Sequence, residues 1–285
     1  MAFKGMHAKD TNFEPYWDLV KRIITESDLV LEILDARLVE LSRNEEVERI
    51  AKQVDRPLVF VINKTDLVSK ESLRRQVTKL QEEGDVVFIS TKKKGSTKLL
   101  YYQIKKLFNK YGKRDKPIRN ENAPKPKHRE ARAEIVVGVL GYPNVGKSSI
   151  INMLCHKKKL KVSKRAGTTH GIHWITATEE IKLIDSPGVI PLQNEDEVRY
   201  GLIGARNPEK LKNCELVAHS LIQLFSKQNP KPFEELYSIT LTDNTGNILE
   251  EIARKKSNLL KGGELDLNRT ARMIVKDWQD GKLRL

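Results

Sequence analysis

Long apolar runs are missing from this sequence. The longest, such as Leu58 to Ile62, have the length of a strand, and the opening MAFKGMHAKDTNFEPYW holds no apolar stretch of signal-peptide length. That shortage argues against a membrane span, and the expectation is a cytoplasmic chain with no membrane partner. Cysteine is nearly missing as well: Cys155 and Cys214 stand far apart, without the paired spacing of a zinc site or a disulfide framework. Both read as ordinary buried thiols. Acidic residues are scarce in one window, since residues 112–170 hold 15 Lys and Arg against four Asp and Glu, whereas residues 190–285 hold 15 against 14. Most of the net charge of +14 is therefore concentrated. A concentrated positive field suits a polyanion, nucleic acid above all, because neutralised phosphates release counterions; the plain alternative is a solvated basic linker. What remains, 39% apolar and 32% charged over 285 residues, is a globular composition long enough for one large core or two domains.

Apolar spacing at Trp17, Val20, Ile23 and Ile24 predicts a short helix, followed by a strand over Asp28 to Leu34 that closes in Asp35-Ala36-Arg37. A helix over Asn44 to Val54, a strand over Pro57 to Ile62, a helix over Lys70 to Glu83, a strand over Val86 to Ile89 and a helix from Thr97 to Tyr111 come next. Such alternation predicts a mostly parallel, doubly wound α/β sheet, with ligands beyond the carboxyl ends of its strands. Residues 112–133, broken by Pro117, Pro124 and Pro126 among basic residues, read as an extended linker. Strands are expected again at Ile135 to Leu140, Ile172 to Thr178 and Ile181 to Ile184, and a helix at Lys147 to Cys155. Beyond about residue 195 the helical period takes over, with helices near 208–227, 233–238, 246–259 and 268–280.

The buried strand at Ile135 to Leu140 runs directly into GYPNVGKS, residues 141–148, a complete phosphate-binding loop. Gly141 and Gly146 let the backbone turn its N–H groups inward, so that Asn144, Val145, Gly146, Lys147, Ser148 and Ser149 form the phosphate-binding set. Lys147 reaches the terminal phosphates and Ser148 offers a hydroxyl to Mg²⁺. In Asn63-Lys64-Thr65-Asp66, a carboxylate such as Asp66 can accept from guanine N1–H and the exocyclic amine, which adenine does not match. Asn63 and Lys64 would brace the loop and cover the ring, and the backbone of Ser90, Thr91 and Lys92 would meet the guanine oxygen. Asp185, in Asp185-Ser186-Pro187-Gly188, ends a strand where it can hold Mg²⁺ through water, and Gly188 can present its N–H to the γ-phosphate.

Taken together, NKTD at 63–66, STK at 90–92, GYPNVGKS at 141–148, GTT at 167–169 and DSPG at 185–188 resemble the signature elements of a Ras-like GTPase. Their order, with the guanine elements ahead of the phosphate loop, is similar to that of the circularly permuted GTPases that assist ribosome assembly. The resemblance implies a circularly permuted GTPase domain over 1–194, followed by a small all-α domain over 195–285 that contacts RNA on the large ribosomal subunit. It further implies Thr169 as the second Mg²⁺ ligand, with Thr168 the alternative, and Asn144 as a potassium ligand. A water-positioning histidine near the N-terminus would be His7, with His170 and His173 the alternatives. The place after Gly188, commonly the glutamine that orients water in Ras-like sites, is Val189, which cannot hydrogen-bond.

The expected activity is hydrolysis of GTP to GDP and phosphate, slow alone and stimulated by ribosomal particles, in a monomer that binds ribosomal RNA and not DNA. Two rival readings stay open: a GTP-dependent RNA scaffold with negligible hydrolysis of its own, and an ATP-using enzyme acting on small molecules.

Overall fold

The computed structural model of the chain describes residues 16–93, 95–113, 135–155, 173–186 and 196–285. Strands β1 (Leu29–Asp35), β2 (Leu58–Asn63), β3 (Asp85–Phe88), β4 (Ile135–Leu140), β5 (His173–Thr176) and β6 (Ile181–Asp185) form a six-stranded sheet in the order β3-β2-β1-β4-β6-β5. β1 pairs in parallel with β2 and β4, β2 with β3, and β4 with β6, while β5 runs antiparallel at the edge. The mostly parallel α/β sheet expected from the alternating pattern is what forms. Every residue of β1 and β4 is buried, as central parallel strands covered on both faces require. Their carboxyl ends lie together: Asp35 is in register with Asn63, and Val139 with Asp185.

Helices cover both faces because the strands alternate two apolar sets. On one side, α1 (Tyr16–Glu26) and α3 (Glu45–Gln53) bring Val20, Ile23, Val47 and Ile50 onto Val30, Val136 and Ile184. α2 (Val39–Ser42) and α4 (Lys70–Glu83) continue that side over Leu34, Phe60 and Ile62. On the other, α5 (Ser96–Tyr111) and α6 (Lys147–Leu154) pack Leu100, Ile104, Ile150 and Leu154 onto Leu31, Val137 and Leu183. Each such side chain, taken wholly out of water, contributes about 1.5–3 kcal/mol. Cys155 and Cys214 are buried thiols that form no disulfide with each other.

The C-terminal helices have a core of their own. α7 (Glu197–Leu202), α8 (Cys214–Gln228), α9 (Lys231–Tyr237), α10 (Thr245–Lys255) and α11 (Leu267–Gln279) close around Phe225, Phe233, Tyr237 and Trp278. The Phe225 ring meets Trp278 edge-on at 5.9 Å between centroids. The single helix expected near 208–227 is divided into a 3-10 turn at Pro208–Lys210 and α8 from Cys214. Tertiary contacts make the break: the Glu197 carboxylate accepts from the N–H groups of Lys212 and Asn213, and the Asn213 side chain then caps α8 by accepting from Leu216 N–H. Two short helices, α2 and α7, were not expected. Tyr200 and Ile203 join the core of the sheet, whereas Leu202 joins the helical core. Leu285 also reaches the turn between β2 and α4, since its N–H donates to Leu67 O at 2.9 Å and Ser69 N–H donates to Leu285 O at 2.8 Å.

Candidate nucleotide site

The phosphate loop is built where β4 ends. Gly141 has φ +139°, and a Cβ there would lie 2.6 Å from the Ile33 carbonyl oxygen, so the loop leaves the sheet at a place only glycine can occupy. Asn144 and Gly146 follow in left-handed conformations, at φ 62° and φ 108°. Gly146 leads into α6, whose first turn carries Lys147, Ser148 and Ser149. Lys147 is buried, and its ammonium donates to Gly141 O at 2.7 Å and Tyr142 O at 2.9 Å. Burial pulls it down to about 8, with the Asp185 carboxylate opposing.

Asp185, at the end of β6, is buried, and neither of its carboxylate oxygens meets a hydrogen-bond partner among the described residues. Burial pushes this carboxyl up to about 6, against the pull of Lys147 and His173. A buried carboxylate with both oxygens open is costly unless something pairs with it. Its chemistry suits a divalent cation.

The guanine side is cross-braced to this loop. At the end of β2, the Asn63 amide donates to Val145 O at 2.8 Å, and a Cβ on Gly146 would come within 2.2 Å of that amide nitrogen. Thr65 donates through N–H and Oγ1 to Ile89 O, at 3.3 and 2.9 Å, which ties the NKTD turn to the end of β3. Asp66 Oδ1 accepts from the Ser90 hydroxyl at 2.6 Å, and Lys92 Nζ lies 3.4 Å from Oδ2. Burial alone would raise the Asp66 carboxyl; the Ser90 hydroxyl and Lys92 outweigh it and hold it below its ordinary value. Ser90 in turn donates its N–H to Ser96 Oγ at 3.2 Å, at the first residue of α5.

Two connections absent from the sequence reading join this site to the C-terminal helices. Lys64, left-handed at φ 63°, donates through Nζ to Asp35 Oδ2 at 2.7 Å. Asp35 is held from its other side by Arg37, through Nε at 3.0 Å and Nη2 at 2.8 Å. The Arg37 guanidinium lies 4.0 Å from the centroid of the Trp278 ring and donates to Trp278 O in α11. Burial works to raise Asp35, yet the two cations keep it far below the usual carboxylate range. The second connection is Asn144 in the phosphate loop, whose Nδ2 donates to Gly204 O at 2.7 Å just past α7. A charged pair at the carboxyl end of a buried parallel strand was the signal that could have found Asp35 and Arg37. Gly204 left no comparable signal.

The structure thus brings together Asn63, Lys64, Asp66, Ser90, Thr91 and Lys92 with the loop from Asn144 to Ser149 and with Asp185. His7, Thr168, Thr169, His170, Gly188 and Val189 lie outside the described residues. His173 is exposed on β5.

The family described as 50S ribosome-binding GTPase matches residues 136–249, from β4 into α10. An uncharacterised GTP-binding protein of Methanocaldococcus jannaschii is 37% identical over 94% of this chain and 66% of its own length. Nucleolar GTP-binding protein 2 of Pneumocystis carinii is 30% identical over 99% of this chain and 55% of its own, and GTPase grn1 of Schizosaccharomyces pombe is 29% identical over 99% and 63%. The chain therefore spans just under two thirds, or less, of the length of these relatives. Among solved structures, GNP-bound YlqF from T. maritima superposes with a TM-score of 0.57 at 21% identity, over 92% of each chain, which shows the shared fold.

Proposed function

We propose that the chain is a circularly permuted GTPase, in which the guanine motif precedes the phosphate loop, and that it is a GTP-hydrolysing switch acting on the large ribosomal subunit through ribosomal RNA. One observation carries the nucleotide part: Asn63 of the guanine motif donates to Val145 O inside the phosphate loop, so motifs far apart in sequence form one site. Asp66, held ionised by Ser90 and Lys92, suits the two donors on the guanine edge, which disfavours the ATP reading. The ribosomal part draws on the family description and on relatives named as nucleolar GTP-binding proteins. It also draws on charge, because Arg269, Arg272 and Lys276 follow one exposed stripe of α11 at helical spacing.

Within this reading, residues 1–194 are the GTPase unit and 195–285 the RNA-facing unit. Lys147 and the first-turn N–H groups of α6 bind the phosphates, while Asn63 holds the loop in shape. Ser148, Asp185 and Thr169 would hold Mg²⁺, which when bound neutralises charge building up on the phosphates. Gly188 would give its N–H to the γ-phosphate. Val189 cannot orient water, so hydrolysis is slow until His7 does so, with His170 and His173 the alternatives. Potassium would meet the Asn144 amide oxygen, since the amide nitrogen is taken by Gly204; turnover in potassium against sodium chloride tests that ligand. Asn144 to Gly204 and Lys64 through Asp35 and Arg37 to Trp278 give both halves of the nucleotide site a direct hold on the helical unit.

Single-turnover GTP hydrolysis with and without large ribosomal subunits is the test. Slow turnover alone, stimulation by subunits, and a loss of about 10²-fold of the stimulated rate in His7→Ala are expected. Equal hydrolysis of ATP, or no response to subunits, would contradict the reading.

A further inference from the structure

We propose that the solvent face of α5 is an RNA-docking surface on the GTPase unit itself, with Tyr102 as a stacking platform for an unpaired base and Lys98 and Lys106 as its phosphate contacts. The inference rests on the reading of this chain as an RNA-contacting GTPase and assigns that partner a surface outside the helical unit.

The helix is unusual among its neighbours in how its charges are arranged. Three other helices carry acid–base pairs one turn apart on their exposed faces: Arg22 with Glu26 in α1, Arg49 with Glu46 in α3, Arg254 with Glu250 in α10. Such pairs are how a solvated helix face is ordinarily stabilised. α5, STKLLYYQIKKLFNKY, has lysines and no acid at all. Lys106 and Lys110 stand at i and i+4, a like-charge spacing that mildly destabilises a helix. Lys105 and Lys110 find acids off the helix, at Glu180 and Asp85, but Lys98 and Lys106 have no ion-pair partner among the described residues. The inner stripe of Leu100, Ile104 and Leu107 explains why the helix folds, and it does not explain the outer one.

The same outer face holds two exposed large apolar side chains, Tyr102 at 63% and Leu99 at 42%. Tyr102 lies four residues from Lys98 and four from Lys106, so its ring is framed by an ammonium group about one turn away on each side. A flat π-face between cations is the arrangement that binds single-stranded nucleic acid without reading its sequence: the base stacks and the flanking phosphates pair. A lipid surface would ask for a continuous apolar stripe, and two residues do not make one. The neighbours extend the field in both directions, since Lys92 and Lys93 are exposed before the helix and Lys113 after it. Position adds a consequence. Ser96, the first residue of α5, accepts from Ser90 N–H beside Asp66, so RNA held on this face would rest on the element that braces the guanine loop.

The experiment measures binding of the whole chain to fluorescently labelled poly(U) across a salt series, with phosphatidylserine vesicles as the competing probe. Tyr102→Ala should weaken poly(U) binding roughly five- to a hundredfold while Tyr102→Phe, which keeps the ring, binds as the native chain does. Lys98→Gln combined with Lys106→Gln should lower the slope of log affinity against log salt by about 1.4, about 0.7 for each lost contact. GTP affinity should be unchanged in all three variants. If the native chain binds RNA and these variants bind it equally well, the α5 surface is wrong and the proposed function stands. If the native chain binds neither RNA nor large subunits, both fall. Vesicle binding that Tyr102→Ala abolishes, with RNA binding intact, would overturn the choice of partner.

Discussion

Asp66 enters the site with its geometry already set: Oδ1 accepts from the Ser90 hydroxyl at 2.6 Å and Oδ2 faces Lys92 at 3.4 Å. In the proposed reading its charge selects guanine, so Asp66→Asn should weaken GTP binding by roughly 10- to 100-fold, because an amide then presents a donor to donors. Calorimetry on both proteins would read this, and an unchanged affinity would remove Asp66 from the base-reading role. Glu32 is a residue of the opposite kind, buried in the centre of β1 with Oε1 accepting from Asn44 N–H at 2.7 Å and Oε2 without a partner among the described residues. Burial raises its carboxyl well above the ordinary range, Glu48 adds to the rise, and the Asn44 N–H and Arg43 oppose it. A carboxyl raised in the folded state stabilises the fold most while protonated, and loses that contribution as pH rises from its unfolded value through its folded one. Glu32→Gln should therefore gain stability over the native chain progressively as pH rises above the ordinary carboxylate range, by about 1 kcal/mol or more. Urea unfolding across that rise checks it, and parallel stability curves would contradict it. Residues such as Asn63, Asp66 and Lys147 were legible because their motifs are short and local. Glu32 was not, since nothing in the run LVLEILD says that the Glu32 carboxylate lies buried.

Among elements, β4, the phosphate loop and α6 were legible almost to the residue, because strand, glycine turn and helix start are all dictated by neighbours in sequence. The division of 208–228 was not, because the Glu197 carboxylate that takes the N–H groups of Lys212 and Asn213 lies in an earlier helix. α2, with four residues, and α7, with six, are too short to show a helical period. Nevertheless the end of α7 is where the phosphate loop is held. Gly204 has φ +74°, and a Cβ there would lie 3.3 Å from the Asn144 Cβ. Gly204→Ala should cost about 1–2 kcal/mol of stability and also lower GTP affinity by displacing Asn144. Gly263→Ala, at φ +90° with nothing within 4 Å, should carry a similar backbone cost without the loss of affinity. If both variants bind GTP like the native chain, the contact of Asn144 with Gly204 plays no part in shaping the loop.

For the molecule as a whole, permutation puts the guanine loop, the phosphate loop and the C-terminal helices in mutual contact. Leu285 pairs with Leu67 and Ser69 next to the guanine turn, Trp278 stacks on Arg37, and Gly204 accepts from Asn144. The mostly parallel sheet and the helical C-terminal region could be read from hydrophobic period alone, but the way they dock could not. Arg37 and Trp278 become neighbours only after the whole chain has folded. Both are fully buried, so Arg37→Met leaves Asp35 with Lys64 as its remaining cation and should loosen α11 from the nucleotide side. The central claim is that nucleotide state and the grip on the large ribosomal subunit are one equilibrium. Its most direct test is co-sedimentation of the chain with large subunits in GDP and in a non-hydrolysable GTP analogue, with Arg37→Met alongside. The native chain should be retained more strongly in the analogue than in GDP, and Arg37→Met should narrow that difference. Equal retention of the native chain in both nucleotides would contradict the account.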